Sequence, residues 1–290
     1  GFFFFFRAVL SGLLGEHALS YLDDVILFTP TVDLHLQMID KVLQRFQDAN
    51  LKIKLVKCQF LKKALCFLGN YVSFDGVRPD PAKLAVVKNY PVPTNVDQLR
   101  SFLGFVGFYR QYIDHFSQIA KCLTNLFKKD TPFKWGTEEQ TAFELLRDKL
   151  ISDPILVYPD FKLPFFVATD ASNEAIAAAL LQERDGTLKP IGYASRTMTP
   201  AEFNYGITDK EGLALLYGLQ KFRNLIYGYE IICLTDHLAL CQKFAKGPLL
   251  GRLARWALTL QDYAPRLRYV PGKLNRIADS LSRMHPPAKN

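Results

Sequence analysis

The stretch from Phe165 to Thr235 constrains the fold of this chain more than any other. Two apolar strand segments, Phe165–Asp170 and Ile176–Gln182, precede a turn at Asp185-Gly186 and a third strand over Ile191–Ser195. A helix over Asp209–Phe222 and another strand over Tyr229–Thr235 follow. Strands adjoining through a turn, together with a strand that returns after a helix, predict a mixed α/β layout. A helix at Arg252–Gln261, a strand at Leu267–Val270 and a short terminal helix complete it.

Upstream the pattern is more broken. Val9–Leu14 reads as helix, and Ala18–Phe28 as a hairpin with Asp23 and Asp24 at its exposed turn. Leu34, Met38, Val42 and Phe46 form one apolar stripe of a helix over Asp33–Ala49, which Asn50 closes. Leu51, Ile53 and Leu55 alternate with Lys52 and Lys54, as in a strand with one wet, basic face. A second hairpin is expected around Asp75-Gly76, and a helix starting at Asp80-Pro81. Thr94 and Asp97 read as caps of a helix running to about Asp114 that carries Arg100, Tyr109, Arg110 and Tyr112. Phe127–Trp135 reads as a linker, Thr137–Leu150 as a helix and Asp153–Asp160 as a loop.

A chain of 290 residues, 49% hydrophobic and 22% charged, has room for two or three packed domains. Its net charge of +8 suits a polyanionic partner, because Lys and Arg that neutralise phosphates release counterions. Charge alone fits a merely basic protein equally well. Five cysteines without a C-x-x-C spacing point to neither a disulfide framework nor a zinc site. The opening G-F-F-F-F-F is cut short by Arg7 and reads as neither a signal nor a membrane anchor.

Four acids stand out by their settings: Asp170 in T-D-A-S, Glu211 in T-D-K-E-G-L-A, Asp236 in T-D-H and Asp279 in A-D-S-L-S-R. Asp170 and Asp236 each end a strand, where α/β sites commonly open. Glu211 has a rival role, since Thr208 and Glu211 fit a capping box. Asp279 fits the first turn of a helix capped by Asn275. Spacing alone does not bring the four together. If they meet, each pair at ~4 Å repels by ~4 kcal/mol at an effective dielectric of ~20, and divalent cations are the natural counterweight.

The wording and order of these segments resemble the ribonuclease H domain of gypsy-type long-terminal-repeat retrotransposon Pol polyproteins. The likeness takes in Y-A-S-R (Tyr193–Arg196), K-F-R (Lys221–Arg223), R-L-A-R-W-A-L (Arg252–Leu258) and P-G-K-L-N-R-I-A-D-S-L-S-R (Pro271–Arg283). Y-L-D-D (Tyr21–Asp24), K-C-Q-F (Lys57–Phe60), F-L-G (Phe67–Gly69) and L-R-S-F-L-G (Leu99–Gly104) resemble the reverse transcriptase palm and thumb of the same polyprotein. The resemblance implies an α/β and α+β multidomain chain: partial palm over 1–76, thumb and connection over 77–160, ribonuclease H domain over 161–284, and a disordered tail over 285–290.

It further implies that Asp170, Glu211, Asp236 and Asp279 hold two Mg²⁺ ions, or Mn²⁺ in their place, and cut the RNA strand of an RNA–DNA hybrid. Arg100, Arg110 and Arg196 become candidates for nucleic-acid contact along a template/primer duplex. The implied setting is intracellular, in a cytoplasmic particle or the nucleus, without a membrane partner; no oligomeric state follows. Asp23 and Asp24 are the polymerase acids of the resemblance. The family's further palm aspartate and its fingers have no counterpart in this sequence, so these two alone are not expected to polymerise DNA. Ala177 stands where the family usually has glycine, and Leu238 where it often has a basic residue, which bears on rate and affinity.

Overall fold

The computed structural model describes residues 2–152, 154–246 and 251–271. The chain divides into two compact units, Gly1–Leu68 and Gly69–Asn290. Among the described residues no helix is long and apolar enough to cross a membrane, and Cys58, Cys122, Cys233 and Cys241 are free thiols.

The first unit holds α1 (Phe2–Val9), the antiparallel hairpin β1 (Ala18–Tyr21) and β2 (Asp24–Leu27), α2 (Val32–Asp48) and β3 (Ala64–Phe67). Phe6, Leu10, Leu13, Ala18, Val42 and Phe46 form its core. The expected helix at Val9–Leu14 is displaced: α1 ends at Val9, and Gly12 at φ 76° turns the chain so that Leu10 and Leu13 drop into that core. Thr31 caps α2 by accepting from the Leu34 amide, and Asn50 follows its end at φ 54°, a left-handed conformation that Asn tolerates well. The strand expected over Leu51–Leu55 does not form. Leu51 packs against the core, but no neighbouring strand lies beside the segment among the described residues, and Leu55–Lys57 coil into a 3₁₀ turn.

The second unit begins with the hairpin β4 (Asn70–Ser73) and β5 (Gly76–Pro79), followed by α3 (Pro81–Lys88) and α4 (Val96–Phe108). Asp80 caps α3 from the Ala82 amide, with Pro81 at the first helical position as the sequence predicts. The α4 cap is Asn95 rather than Thr94 or Asp97: its side chain accepts from the Gln98 amide at 3.0 Å, while Thr94 bonds the Gln98 side chain. This helix also stops short of Asp114. Tyr109 donates to the Gly69 carbonyl and Tyr112 to Asn70 Oδ1, each at 2.8 Å. These tertiary bonds tighten residues 110–112 into a 3₁₀ turn.

Short helices α5 (Phe116–Ile119) and α6 (Lys121–Asn125) lead to α7 (Thr137–Ile151). Phe102 and Phe143, with ring centroids 4.5 Å apart, centre the core of this helical layer. Val77 and Leu156 exchange backbone hydrogen bonds at 2.9 Å and tie β5 to the chain leaving α7.

Then comes the mixed sheet: β6 (Phe165–Ala171), β7 (Ala175–Arg184), β8 (Thr187–Thr197), β9 (Ile231–Thr235) and β10 (Arg266–Tyr269). The spatial order is β10-β9-β6-β7-β8, with β6, β9 and β10 parallel and β7 antiparallel to both β6 and β8. Between β8 and β9 lie α8 (Pro200–Phe203), α9 (Ile207–Lys221) and α10 (Arg223–Ile226); between β9 and β10 lie α11 (Leu238–Lys246) and α12 (Gly251–Gln261). Alternation along β6 sends Phe165 and Val167 toward the helix side, with Leu215 and Leu219 of α9, and Phe166 and Ala168 to the opposite face. The expected strands and the long helix α9 are all present; α8 and α11 are short additions that the sequence reading did not assign.

Candidate active site

Three carboxylates reach one place from three elements. Asp170 is the penultimate residue of β6, and Asp236 directly follows β9. Because these strands run parallel with Ala168 opposite Leu234, the two acids emerge at the same carboxyl edge. Glu211 comes from α9, which lies unusually close to the sheet at Gly218. A Cβ there would sit 2.9 Å from Ala178 Cβ and 3.1 Å from Val167 Cγ1. Glu211 precedes Gly218 by about two turns on the same helix face, ~10 Å nearer the helix start. One ligand oxygen from each of Asp170, Glu211 and Asp236 lies within 4.8 Å of the others.

The capping role weighed for Glu211 is not the one it plays. Gly206 is the N-cap of α9, so Thr208 lies inside the helix, its hydroxyl 3.0 Å from His237 Nε2. Glu211 is left 4% exposed, and its Oε2 is buried without a hydrogen-bond partner. Burial, with the charges of Asp170 and Asp236, pushes its carboxyl up to about 8. A buried acceptor facing two like charges is costly for the protein alone. All three donors are hard oxygens, the set that divalent cations such as Mg²⁺ take, and so the residues fit such an ion.

Asp170 behaves differently. Its carboxyl is held below the usual range, chiefly by a hydrogen bond from His115, although burial opposes the shift. His115 Nε2 lies 2.9 Å from Asp170 Oδ2, and its Nδ1 lies 2.8 Å from Asp114 Oδ1. Burial opposes the charge on this ring, yet the two carboxylates outweigh it and push the imidazole to about 10. At neutral pH the ring is a cation that donates from both nitrogens. Sequence reading did not single out His115. The contact spans 55 residues and leaves no local signature.

The remaining candidates are dispersed. Arg196 forms a two-pronged pair with Glu202 at 2.7 and 2.9 Å, and Arg110 donates to the Ser195 carbonyl and to Ser117 Oγ. Both guanidinium groups thus have partners within the protein. Arg100, with a side chain 61% exposed, is paired only loosely with Asp97 at 3.4 Å. Asp23 and Asp24 are exposed at the β1–β2 tip, Asp24 pairing across from Tyr21. Ala177 lies directly opposite Asp170 in the β6–β7 register, and Leu238, at the start of α11, is half exposed. Asp279, with its expected helix and Asn275 cap, falls outside the described residues.

Comparison with known proteins agrees with this architecture. Residues 2–72 match the family of reverse transcriptase (RNA-dependent DNA polymerase), and residues 135–233 match the RNase H-like domain found in reverse transcriptase. The chain is 40% identical over 277 residues to the retrovirus-related Pol polyprotein from transposon 297 of Drosophila melanogaster, covering 95% of this chain and 26% of the relative. It is 37% identical over 290 residues to that from transposon gypsy of the same organism, covering 96% of this chain and 28% of the relative. It therefore spans about a quarter of the length of these relatives. A foamy viral protease-reverse transcriptase, solved in complex with double-stranded DNA, superposes with a TM-score of 0.78 at 26% identity, over 91% of this chain and 47% of that one. The chain belongs with the retrovirus-related Pol polyproteins of retroelements, carrying a reverse transcriptase region followed by an RNase H-like domain.

Proposed function

We propose that the RNase H-like domain hydrolyses the RNA strand of RNA–DNA hybrids, with Asp170, Glu211 and Asp236 as the acids of the site. The observation that carries this reading is the buried, unpartnered Oε2 of Glu211 beside two further carboxylates whose ligand oxygens lie within 4.8 Å. Asp279 is the fourth acid by resemblance. Two Mg²⁺ ions, or Mn²⁺ in their place, are the group this set would hold; when bound they supply Lewis-acid activation of water and charge neutralisation at the leaving oxygen.

The protein's own contribution is placement. Parallel β6 and β9 fix the Asp170 and Asp236 backbones at one edge, and the close seat of α9 brings Glu211 over it. Once Glu211 gives up its proton, the three carboxylates make the site negative, which favours a cation and repels a phosphate until that charge is compensated. Substrate choice rests in this reading on the 2′-hydroxyl and A-like groove of the hybrid, read by shape. The net charge of +8 and the likeness to a reverse transcriptase bound to double-stranded DNA support a duplex partner, including a template/primer. We assign residues 1–76 to the palm, 77–160 to the thumb and connection and 161–284 to the hydrolytic domain; Asp23 and Asp24 take no part in hydrolysis. In this reading its action lies inside the cell, in a cytoplasmic particle or the nucleus.

The test is a cleavage assay on a labelled RNA–DNA hybrid. The unaltered chain is expected to shorten the RNA strand in Mg²⁺, and Asp170→Asn to lose cleavage while still binding the hybrid. Cleavage retained by Asp170→Asn defeats the assignment. Hybrid binding without any Mg²⁺-dependent cleavage by the unaltered chain would instead favour a non-catalytic nucleic-acid-binding role.

A further inference from the structure

The segment before the RNase H-like domain reaches into its acidic site. Arg110 donates to the Ser195 carbonyl of β8, and the Ser117 amide donates to Ser195 Oγ at 2.9 Å. Between these two anchors the chain passes through Asp114 and His115. His115 sits at φ 58° and ψ 27°, a left-handed backbone that non-glycine residues adopt at a cost. Its ring is fixed at both nitrogens, by Asp114 at 2.8 Å and by Asp170 at 2.9 Å. The side chains of His115 and Asp114 are only 30% and 18% exposed. An uncommon backbone, two flanking anchors and a doubly held ring all serve one contact, which ends on a single oxygen of Asp170.

We propose that His115 is a positioning residue for the acidic site: held by Asp114, it fixes the Asp170 carboxylate through Oδ2 and leaves Oδ1 to face a divalent cation. The inference rests on the reading of Asp170 as a metal ligand, and it adds that the hydrolytic site is completed by residues outside its own sheet. A partner of this kind, behind a metal ligand, sets the ligand's orientation and typically changes metal affinity by ~10–100-fold when removed.

The experiment titrates Mg²⁺ calorimetrically into the full chain without nucleic acid, comparing the unaltered protein with His115→Ala, His115→Gln and Asp114→Asn. His115→Ala is expected to weaken Mg²⁺ binding about tenfold, and to raise by a similar factor the Mg²⁺ needed for half-maximal hybrid cleavage. His115→Gln carries an amide nitrogen to about where the ring holds Nε2, so it keeps a donor to Asp170 and should restore part of the affinity. Asp114→Asn leaves residue 115 intact but loosens its ring, and should give a smaller loss in the same direction. It also carries the test should His115→Ala fail to fold. Equal or tighter Mg²⁺ binding by a folded His115→Ala, or by Asp114→Asn, overturns the proposal, because the ring would then do nothing to present Asp170 to the ion. The two readings separate cleanly: an unaltered chain whose Mg²⁺ binding depends on His115 yet never cuts the hybrid defeats the hydrolytic reading alone. Normal cleavage with an unchanged Mg²⁺ titration in His115→Ala defeats the positioning role alone.

Discussion

Replacing Glu211 by Gln removes one negative charge from the acidic site at nearly constant shape, and the metal-free protein should become more stable for it at neutral to alkaline pH. In the folded chain the Glu211 carboxyl is raised from 4.5 to about 8. Between those values the folded state keeps a proton that the unfolded chain has released, so stability falls as pH rises through this window. The full loss corresponds to on the order of 5 kcal/mol. Coulomb's law gives a similar scale: like charges ~5 Å apart repel by ~3 kcal/mol at an effective dielectric of ~20, and Glu211 faces two of them besides being buried. The assay is urea denaturation in EDTA across this pH range. Near pH 4.5 the two proteins should be almost equally stable, and by about pH 8 Glu211→Gln should be the more stable by several kcal/mol. His115, raised from 6.5 to about 10, gives both proteins a further decline over that higher window, so the difference between the curves isolates Glu211. Added Mg²⁺ should stabilise the unaltered chain far more than Glu211→Gln, and the variant should not cleave. Parallel stability curves, with no divergence between pH 4.5 and 8, would refute the buried-acid argument.

Further outcomes follow from packing. Gly218→Ala places a methyl 2.9 Å from Ala178 Cβ, where carbon contacts prefer ~3.5–4.0 Å, so α9 must lift from the sheet. Overpacking of ~1–3 kcal/mol outweighs the ~1 kcal/mol gained in helix propensity, and calorimetry should show weaker Mg²⁺ binding, because Glu211 moves with the helix; an unchanged Mg²⁺ affinity counts against this geometry. Phe102→Ala empties the centre of the helical layer, where Phe102 is fully buried against Phe143. A loss of ~3–5 kcal/mol in chemical denaturation is expected, and a loss under ~1 kcal/mol would show that this core is not formed as described.

Much of the architecture was legible because it depends on local patterns. The strands β6 to β9 and helix α9 each carry an apolar run or period that specifies one element, and Asp80-Pro81 signals a helix start through cap chemistry alone. Elements failed where a tertiary partner decided the outcome. The alternation Leu51, Ile53, Leu55 found no neighbouring strand, and α4 ended early because Tyr109 and Tyr112 are tied to Gly69 and Asn70. Motif wording alone identified Asp170, Glu211 and Asp236 as candidates, although Glu211 also fitted a capping box with Thr208. Their convergence required the parallel register of β6 and β9 and the close seat of α9 at Gly218, neither of which is written in any one segment. His115 marks the limit of sequence reading most plainly. A histidine becomes a doubly held cation only when its two carboxylates arrive, and one of them comes from 55 residues away. Sequence determines which groups a chain has to offer; only folding sets the distances over which charge and hydrogen bonding act, and those distances give the site its chemistry.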